Sequence, residues 1–415
     1  MFLTLFANER GELLEYPDIG MLGRSGSDWV VPEEAEMIPL PRGASLVSVP
    51  GCIPVGLDSE EELTYFEWAP DCEGKIQAVA ALLPQGFTRT LMPACVKRRS
   101  DKDLPLLGYA AVGFKQEKIY VAAVQTDAHR KWHPTYYNTD GLPERIEKKL
   151  RKYPDNRILR QLARCSLEYS CFTAQNIFYQ RWEGGIPTMP RCNADCMGCI
   201  SESHLNITSP QQRLSFNPSV NEIVEVGTDH LMNARDAIIS FGQGCEGEPS
   251  LNAKNLSQAV EIMRKETSRG TINLNTNAGY TAGIKQICNA GLDTIRITIF
   301  SCQQDNYMAY HRPLNYSFSD VEKSIAYAKD KGVKVSLNLL TFPGFTDRED
   351  EIEELLYFIE GNHIDMVQLR NLNIDPDYLN NNFSGESGIG ILNLINLLKE
   401  ELPGLKIGSY SHPLD

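Results

Sequence analysis

At 415 residues the chain has room for two domains, or for one large domain with an appendage. Its composition, 42% hydrophobic and 23% charged with 31 Gly and 23 Pro, is that of a globular protein and excludes disordered and fibrous classes. A formal charge of −14 argues against wholesale nucleic-acid binding, and no apolar run nears the roughly 18 residues of a membrane helix.

The opening residues Met1–Arg10 carry no basic leader and too short an apolar stretch for a signal peptide. Residues 1–95 are rich in Pro and Gly, with short apolar runs at Ala44–Val49 and Ile76–Leu83. Leu107–Phe114 and Lys118–Gln125 predict a hairpin. Pro143–Tyr153 and Asn156–Tyr169 predict helices, so residues 1–185 read as a strand-rich α+β N-terminal domain without a catalytic motif. From Ile186 strands and helices alternate. Strands are predicted at Asp236–Gly242, Thr271–Thr276, Thr294–Ser301, Val333–Thr341 and Met366–Asn373. Helices are predicted between them at Pro218–Asn233, Asn255–Ser268, Tyr280–Ala290, Ser319–Asp330 and Arg348–Glu360. With one strand ahead of them, these units predict an α/β fold, a partial (β/α)6 barrel over 186–375, with its site at the carboxyl ends of the strands. Residues 376–415 then supply a polar loop, Asn380–Ser387, and a last helix, Ile389–Glu401, packing on the barrel.

Charge is uneven along the chain. Residues 97–190 hold 17 Lys+Arg against 10 Asp+Glu, a basic segment in an acidic protein, which reads either as an RNA-facing surface or as a solvated face. Trp132, His133, Tyr136 and Tyr137 beside Arg130 and Lys131 could stack bases or could pack on the domain's own core. Eleven cysteines, an odd number and mostly scattered, suit a reducing cytoplasm rather than a disulfide framework.

One cysteine group stands apart. Cys192, Cys196 and Cys199 follow a C-x3-C-x2-C spacing on one loop. Three thiolates can hold three irons of a cubane cluster whose common form takes four cysteines, leaving one iron open to a small molecule. With His204 they could instead make a Cys3His zinc site. Downstream, the second predicted strand runs into Gly242-Gln-Gly-Cys-Glu-Gly-Glu-Pro249, where glycines let backbone approach a ligand. The third strand ends Asn273-Leu-Asn-Thr-Asn-Ala-Gly279, with Asn273, Asn275 and Asn277 on one face by alternation. Turn chemistry explains Asn277 equally well. In the fourth strand Arg296, Thr298 and Phe300 share the face opposite Ile295, Ile297 and Ile299. Arg296 inside a barrel requires an anionic partner. In the fifth and sixth strands Ser336, Asn338, Gln368 and Arg370 point inward, and the fifth ends Thr341-Phe-Pro-Gly-Phe-Thr-Asp347.

The cysteine spacing, the Gly247-Glu248-Pro249 run and these strand ends, in this order over residues 186–375, resemble the radical S-adenosylmethionine (SAM) enzymes. The resemblance implies a [4Fe–4S] cluster on Cys192, Cys196 and Cys199, with SAM chelating the open iron and giving a 5′-deoxyadenosyl radical on reduction. It implies SAM contacts from Gly247, Glu248, Pro249, Asn275, Thr298 and Phe342, and SAM or substrate contacts from Arg296, Asn338 and Arg370. An electron donor such as flavodoxin or ferredoxin is implied too. Cys245 and Glu246 depart from the usual Gly-Gly-Glu-Pro pattern. Cys245 and Cys302, at strand ends, could donate hydrogen to a substrate radical or simply pack. Tyr307 and His311, at i and i+4, could line a substrate pocket or lie on the surface. The N-terminal extension favours a macromolecular substrate, RNA or protein. The competing class is an RNA-binding or redox-sensing protein with a structural iron–sulfur cluster.

Overall fold

The computed structural model describes residues 1–70, 72–99, 102–203, 205, 207–385 and 387–414. Among them, twelve strands build an antiparallel sheet in the N-terminal region. Leu3–Ala7 lies at its centre, pairing with Leu13–Met21, Val112–Lys115 and Gln77–Leu82. The expected hairpin is present: Val112–Lys115 pairs with Lys118–Gln125, with Val112 opposite Val121. A small three-stranded sheet, Gly23–Ser25, Asp28–Val30 and Met92–Pro93, flanks it.

Seven parallel strands in sequence order form the second body. They are Arg181–Gly185, Arg235–Phe241, Thr271–Thr276, Thr294–Ile299, Lys334–Thr341, Met366–Asn371 and Lys406–Gly408. This is the predicted half-barrel. Its first strand precedes Ile186, and a short seventh strand, which the sequence reading lacked, pairs with the sixth. The register aligns Arg296 with both Asn275 and Ser336, so the polar positions of neighbouring strands fall in rows on the inner face. The outer face is the core: Ile272, Leu274, Ile295, Ile297, Ile299, Val335 and Leu337 are fully buried against the helices.

The helices Leu142–Lys152, Arg157–Glu168 and Phe172–Tyr179 pack on this same body. Ile158, Leu159, Ile177 and Phe178 share a core cluster with Ile223, Val226 and Ile239. Charged contacts fasten them to the helix Val220–Asn233: Lys149 pairs with Asp229, and Arg157 meets Glu222 at 2.7 Å. That acid also closes the capping box with Ser219 that starts the helix.

The antiparallel sheet docks on the sixth strand, where the seventh no longer covers its edge. Asn371 Oδ1 accepts from Arg89 N at 2.9 Å, and Asn371 Nδ2 donates to Phe87 O. The Arg89 guanidinium, fully enclosed, donates to Tyr109 O and Leu372 O. Lys97 pairs with the buried Asp375 at 2.9 Å. Gly26 and Gly344 bring the small sheet onto the turn after strand five, Gly26 N donating to Pro343 O. A Cβ on Gly344 would lie 2.0 Å from Gly26 N, so this backbone approach depends on glycine. No helix among the described residues is long and apolar enough to cross a membrane.

Candidate functional site

The cysteine loop leaves the first strand and crosses the carboxyl ends of the others. Its far side rests on the turn after the helix Gln304–His311: Asp195 N donates to His311 O, Met197 N to Tyr310 O, and Leu314 N to Asn193 O. Arg312 adopts a left-handed conformation to make that turn. Below the loop, Met197 is enclosed with Phe300, Tyr310, Phe342, Phe345 and Met92, the last from the N-terminal region. Phe300 stacks on Tyr310 at 4.2 Å and on Phe345 at 4.3 Å. The rigid aromatic floor holds the loop in place.

The other side of the loop meets the Gly242–Pro249 segment through backbone. Gly247 N donates to Met189 O at 2.7 Å and Glu248 N to Arg191 O at 2.8 Å. Glu246, an unexpected residue in this motif, is its anchor. Its buried carboxylate accepts from Thr188 N, Thr188 Oγ1, Met189 N, Gly242 N and Gln243 N. Burial lifts its pKa to about 7 against the pull of those donors. Glu248 is enclosed too, its carboxylate taken by Ser250 N, Thr276 Oγ1 and Asn277 N. It therefore ties the loop to the end of strand three. Asn277, just past the strand end, donates from Nδ2 to Asn193 Oδ1 in the cysteine loop at 2.7 Å.

Cys192, Cys196 and Cys199 are half-buried. Burial pushes the Cys192 thiol up to about 11, with Glu248 adding to the effect. Burial drives Cys196 well above its ordinary range, and the fields of Cys192 and Cys199 push the same way. Cys192 and Cys196 resist ionisation alone, and positive metal charge, which stabilises thiolates, would complete the three-thiol donor set. Among the described residues no three His, Cys, Asp or Glu donors converge on a single-ion geometry. A cubane asks instead for one thiolate per iron. His204, the fourth ligand of the zinc alternative, lies outside the described residues.

The inner face of the barrel is a polar lumen, as the alternation predicts. Asn273 Nδ2 donates to Ser240 Oγ and to Asn275 Oδ1, and Asn275 Nδ2 to Phe241 O. Asn338 Nδ2 donates to Thr298 Oγ1 at 3.2 Å. Arg296 is buried, its Nη1 donating to Gln368 Oε1 and Ser411 Oγ, and its Nε has no partner. The carboxylate it finds is Glu183 of strand one, 3.9 Å away and already accepting from Ser240 and Gln243. Arg370 donates to Ser409 O, and burial brings its pKa down to about 10, with Arg296 pushing the same way. It lines a cavity of about 270 Å³ at the seam with the N-terminal sheet, together with Leu82, Leu83, Phe87, Leu107 and Asn373. A second cavity, about 320 Å³, lies at the opposite ends of the strands, against Asn273, Ser336, Gln368 and Ser411.

The structure also places four other groups that the sequence singled out. Cys245 and Cys302 do not face the lumen: both lie in the apolar layer outside the sheet. Cys245 sits beside Cys165 and Cys302 beside Glu351. Tyr307 and His311 are not surface residues; they are enclosed, their rings stacked at 4.3 Å under the cysteine loop. The aromatic group near residue 130 packs inward, with Trp132 and Tyr137 enclosed against Trp182 and Tyr410, and Lys131 is paired with Asp236 at 2.7 Å. Phe342 is fully buried beneath Arg89 rather than exposed in the lumen. Glu183, Asn193, Arg213 and Glu246 were missed because isolated polar residues carry no periodic signal.

Parallel strands, a three-thiol loop at their carboxyl ends and a glycine-rich acid-proline loop bonded to it define one class of protein. Residues 186–356 match the family model described as "Radical SAM superfamily", and this part of the chain is a domain of that enzyme superfamily. It is 29% identical over 182 residues to a GTP 3′,8-cyclase of Thermodesulfovibrio yellowstonii, covering 43% of this chain and 52% of that protein. It is 23% identical over 209 residues to a probable dual-specificity RNA methyltransferase RlmN of Chlorobium phaeobacteroides, covering 45% and 56%. The chain thus spans about half the length of the curated relatives it matches. Among solved structures it is similar to methylornithine synthase (PylB), at 18% identity and a TM-score of 0.40, covering 63% of this chain and 78% of that one. It is also similar to Streptococcus suis SuiB bound to its precursor peptide SuiA, at 12% identity and a TM-score of 0.41, covering 70% and 67%.

Proposed function

We propose that this protein cleaves SAM reductively at a [4Fe–4S] cluster held by Cys192, Cys196 and Cys199, and modifies a substrate bound in the barrel. The observation that carries the reading is the backbone junction of the cysteine loop with Gly247 and Glu248. It brings the three thiols and the glycine-rich loop to one end of the lumen. When bound, the cluster supplies the electron that splits the SAM sulfonium into methionine and a 5′-deoxyadenosyl radical.

The chain's own residues bind, orient and shield. Carbonyls along Gly242–Pro249 and the lumen side chains Asn275, Asn338 and Thr298 would supply hydrogen bonds to SAM. Arg296 offers a donor for a carboxylate, SAM's or the substrate's, since its Nε is unpartnered and its ion pair with Glu183 is long, at 3.9 Å. The packed aromatic floor under Met197 excludes water from the cysteine loop. We assign the substrate's reacting group to the cavity beside Arg370, where the N-terminal sheet supplies the apolar wall. That makes the antiparallel sheet region, residues 1–125, a specificity element, for a free molecule or for a group carried on RNA or protein. A low-potential electron donor of the flavodoxin or ferredoxin kind completes the cycle.

The test is anaerobic. The purified protein is reconstituted, iron and sulfide are assayed, dithionite and SAM are added, and 5′-deoxyadenosine is measured by mass spectrometry. About four irons per chain with deoxyadenosine formed, both lost in the Cys192→Ala/Cys196→Ala/Cys199→Ala variant, is the expected result. Bound zinc without iron would sink the reading.

A further inference from the structure

His311 touches the cysteine loop with a side chain that no motif assigns. Its Nε2 lies 3.2 Å from the buried backbone N of Phe300. A backbone N–H must donate, so Nε2 is the accepting, unprotonated nitrogen and the ring's hydrogen sits on Nδ1. Nδ1 lies 3.4 Å from Cys196 Sγ. The ring is held there: Tyr307 stacks on its face at 4.3 Å, Tyr310 meets it edge-on at 5.0 Å, and it is 1% exposed. On the open side of the loop, Arg213 Nη2 lies 3.6 Å from Cys199 Sγ, and its Nη1 is paired with Glu202 at 2.5 Å. Cys192 is treated differently, meeting the backbone N–H of Ala194 and the negative field of Glu248.

We propose that His311 and Arg213 are positioning residues that raise the reduction potential of the cluster, by hydrogen bonding to the Cys196 and Cys199 thiolates. The inference rests on the cluster assignment made above. Reduction moves one electron from a low-potential donor onto the iron–sulfur core; no bond forms or breaks and no proton moves. The added negative charge is shared with the ligand sulfurs. Donors aimed at those sulfurs stabilise the reduced state more than the oxidised one, as hydrogen bonds to cluster sulfurs do generally. The buried donor at Cys196 acts without competition from water, and the guanidinium at Cys199 brings full charge but partial screening.

The experiment is a redox titration of the reconstituted protein, following the reduced-cluster signal by electron paramagnetic resonance. His311→Phe keeps a stacked ring and removes both nitrogens. His311→Asn keeps an amide donor near the Nδ1 position and drops the Phe300 bond. Arg213→Gln removes the charge at a side chain 18% exposed. At a fixed poise, the reduced-to-oxidised ratio of His311→Phe and Arg213→Gln is expected to fall about tenfold, a shift of about 59 mV to the negative for one electron. His311→Asn is expected to keep the parent ratio within about twofold while losing as much thermal stability as His311→Phe, which separates tuning from support. Four irons bound and an unchanged midpoint in both His311→Phe and Arg213→Gln would overturn the proposal. Should His311→Phe not hold iron, an unchanged midpoint in Arg213→Gln overturns it alone. A parent protein that binds no iron removes the cluster assignment itself, a different failure.

Discussion

Gly247 joins the glycine-rich loop to the cysteine loop, and its smallest change has a calculable effect on the site. A Cβ there would lie 2.1 Å from Arg191 O, 2.3 Å from Arg191 C and 2.9 Å from Cys192 N. All three are backbone atoms, so nothing flexible can swing aside. Reaching even 3.0 Å demands about 0.9 Å of movement, which stretches the 2.7 Å Gly247–Met189 and 2.8 Å Glu248–Arg191 bonds beyond hydrogen-bonding range. Each donor left unpaired costs about 1–3 kcal/mol, so Gly247→Ala is expected to destabilise by about 2–6 kcal/mol. The displaced atom next to Cys192 also shifts the first ligand. Gly244→Ala is the control: its Cβ would meet the Gln211 side chain, which can rotate away. Denaturant unfolding and iron content after reconstitution are measured on both. Gly247→Ala should lose stability and bind less than half the parent's iron, with Gly244→Ala close to the parent. Equal behaviour of the two variants would refute the claim that this backbone junction assembles the site.

Asp229 holds the helical layer to the barrel. Burial works to raise its pKa, but Lys149 and Lys152 prevail and hold it at about 2. A depressed carboxylate contributes stability that is full above its unfolded value near 4 and drains away as pH falls toward 2. Asp229→Asn should therefore destabilise by about 3–5 kcal/mol at pH 7, with a gap to the parent that narrows below pH 4 in urea titrations. Lys97→Met leaves Asp375, fully enclosed, without its cation. It should cost about 3–5 kcal/mol and expose the seam to limited proteolysis; an unchanged cleavage pattern counts against the docking description. Arg296→Lys keeps a cation for the buried Glu183 and removes the guanidinium fork, so melting should stay close to the parent while SAM binding by calorimetry weakens at least tenfold. A parallel loss of melting temperature would instead make Arg296 structural.

The half-barrel was legible because strands three to six keep alternation. Ile295, Ile297 and Ile299 left no choice of face, and Arg296 and Thr298 followed into the lumen. The three cysteines and Gly247-Glu248-Pro249 were legible because chemistry fixes their spacing. What sequence concealed was every contact made by an isolated polar residue across a long separation. Glu246 looked like an intrusion into a motif and is its anchor. Tyr307 and His311 showed a helical i, i+4 spacing, yet a short helix with no apolar stripe does not say which face is buried; the cysteine loop decides that. The first strand, Arg181–Gly185, carries a charge at each of two positions and ends in glycines, so alternation could not announce it. It is a strand because Ile238, Ile239 and Ser240 pair beside it.

These hidden contacts share a direction. Glu246 draws the segment after strand one onto the glycine-rich loop; Glu248 draws that loop onto strand three; Asn277 and the Asp195–His311 bond draw strand three and the fourth helix-turn onto the cysteine loop. Each acid is buried and spent on backbone N–H groups, an arrangement costly to make and intolerant of loss. Evenly packed apolar residues would hold the same strands together at lower cost, as they do on the outer face. Buried acids add direction, because a carboxylate surrounded by fixed donors permits one loop position where a leucine permits several. A site that must hold three thiols and a loosely paired guanidinium in register needs that restriction. The energy lost in burying Glu246 and Glu248 thus acts on geometry, at the one end of the barrel where a displacement of an ångström separates a bound cluster from three idle cysteines.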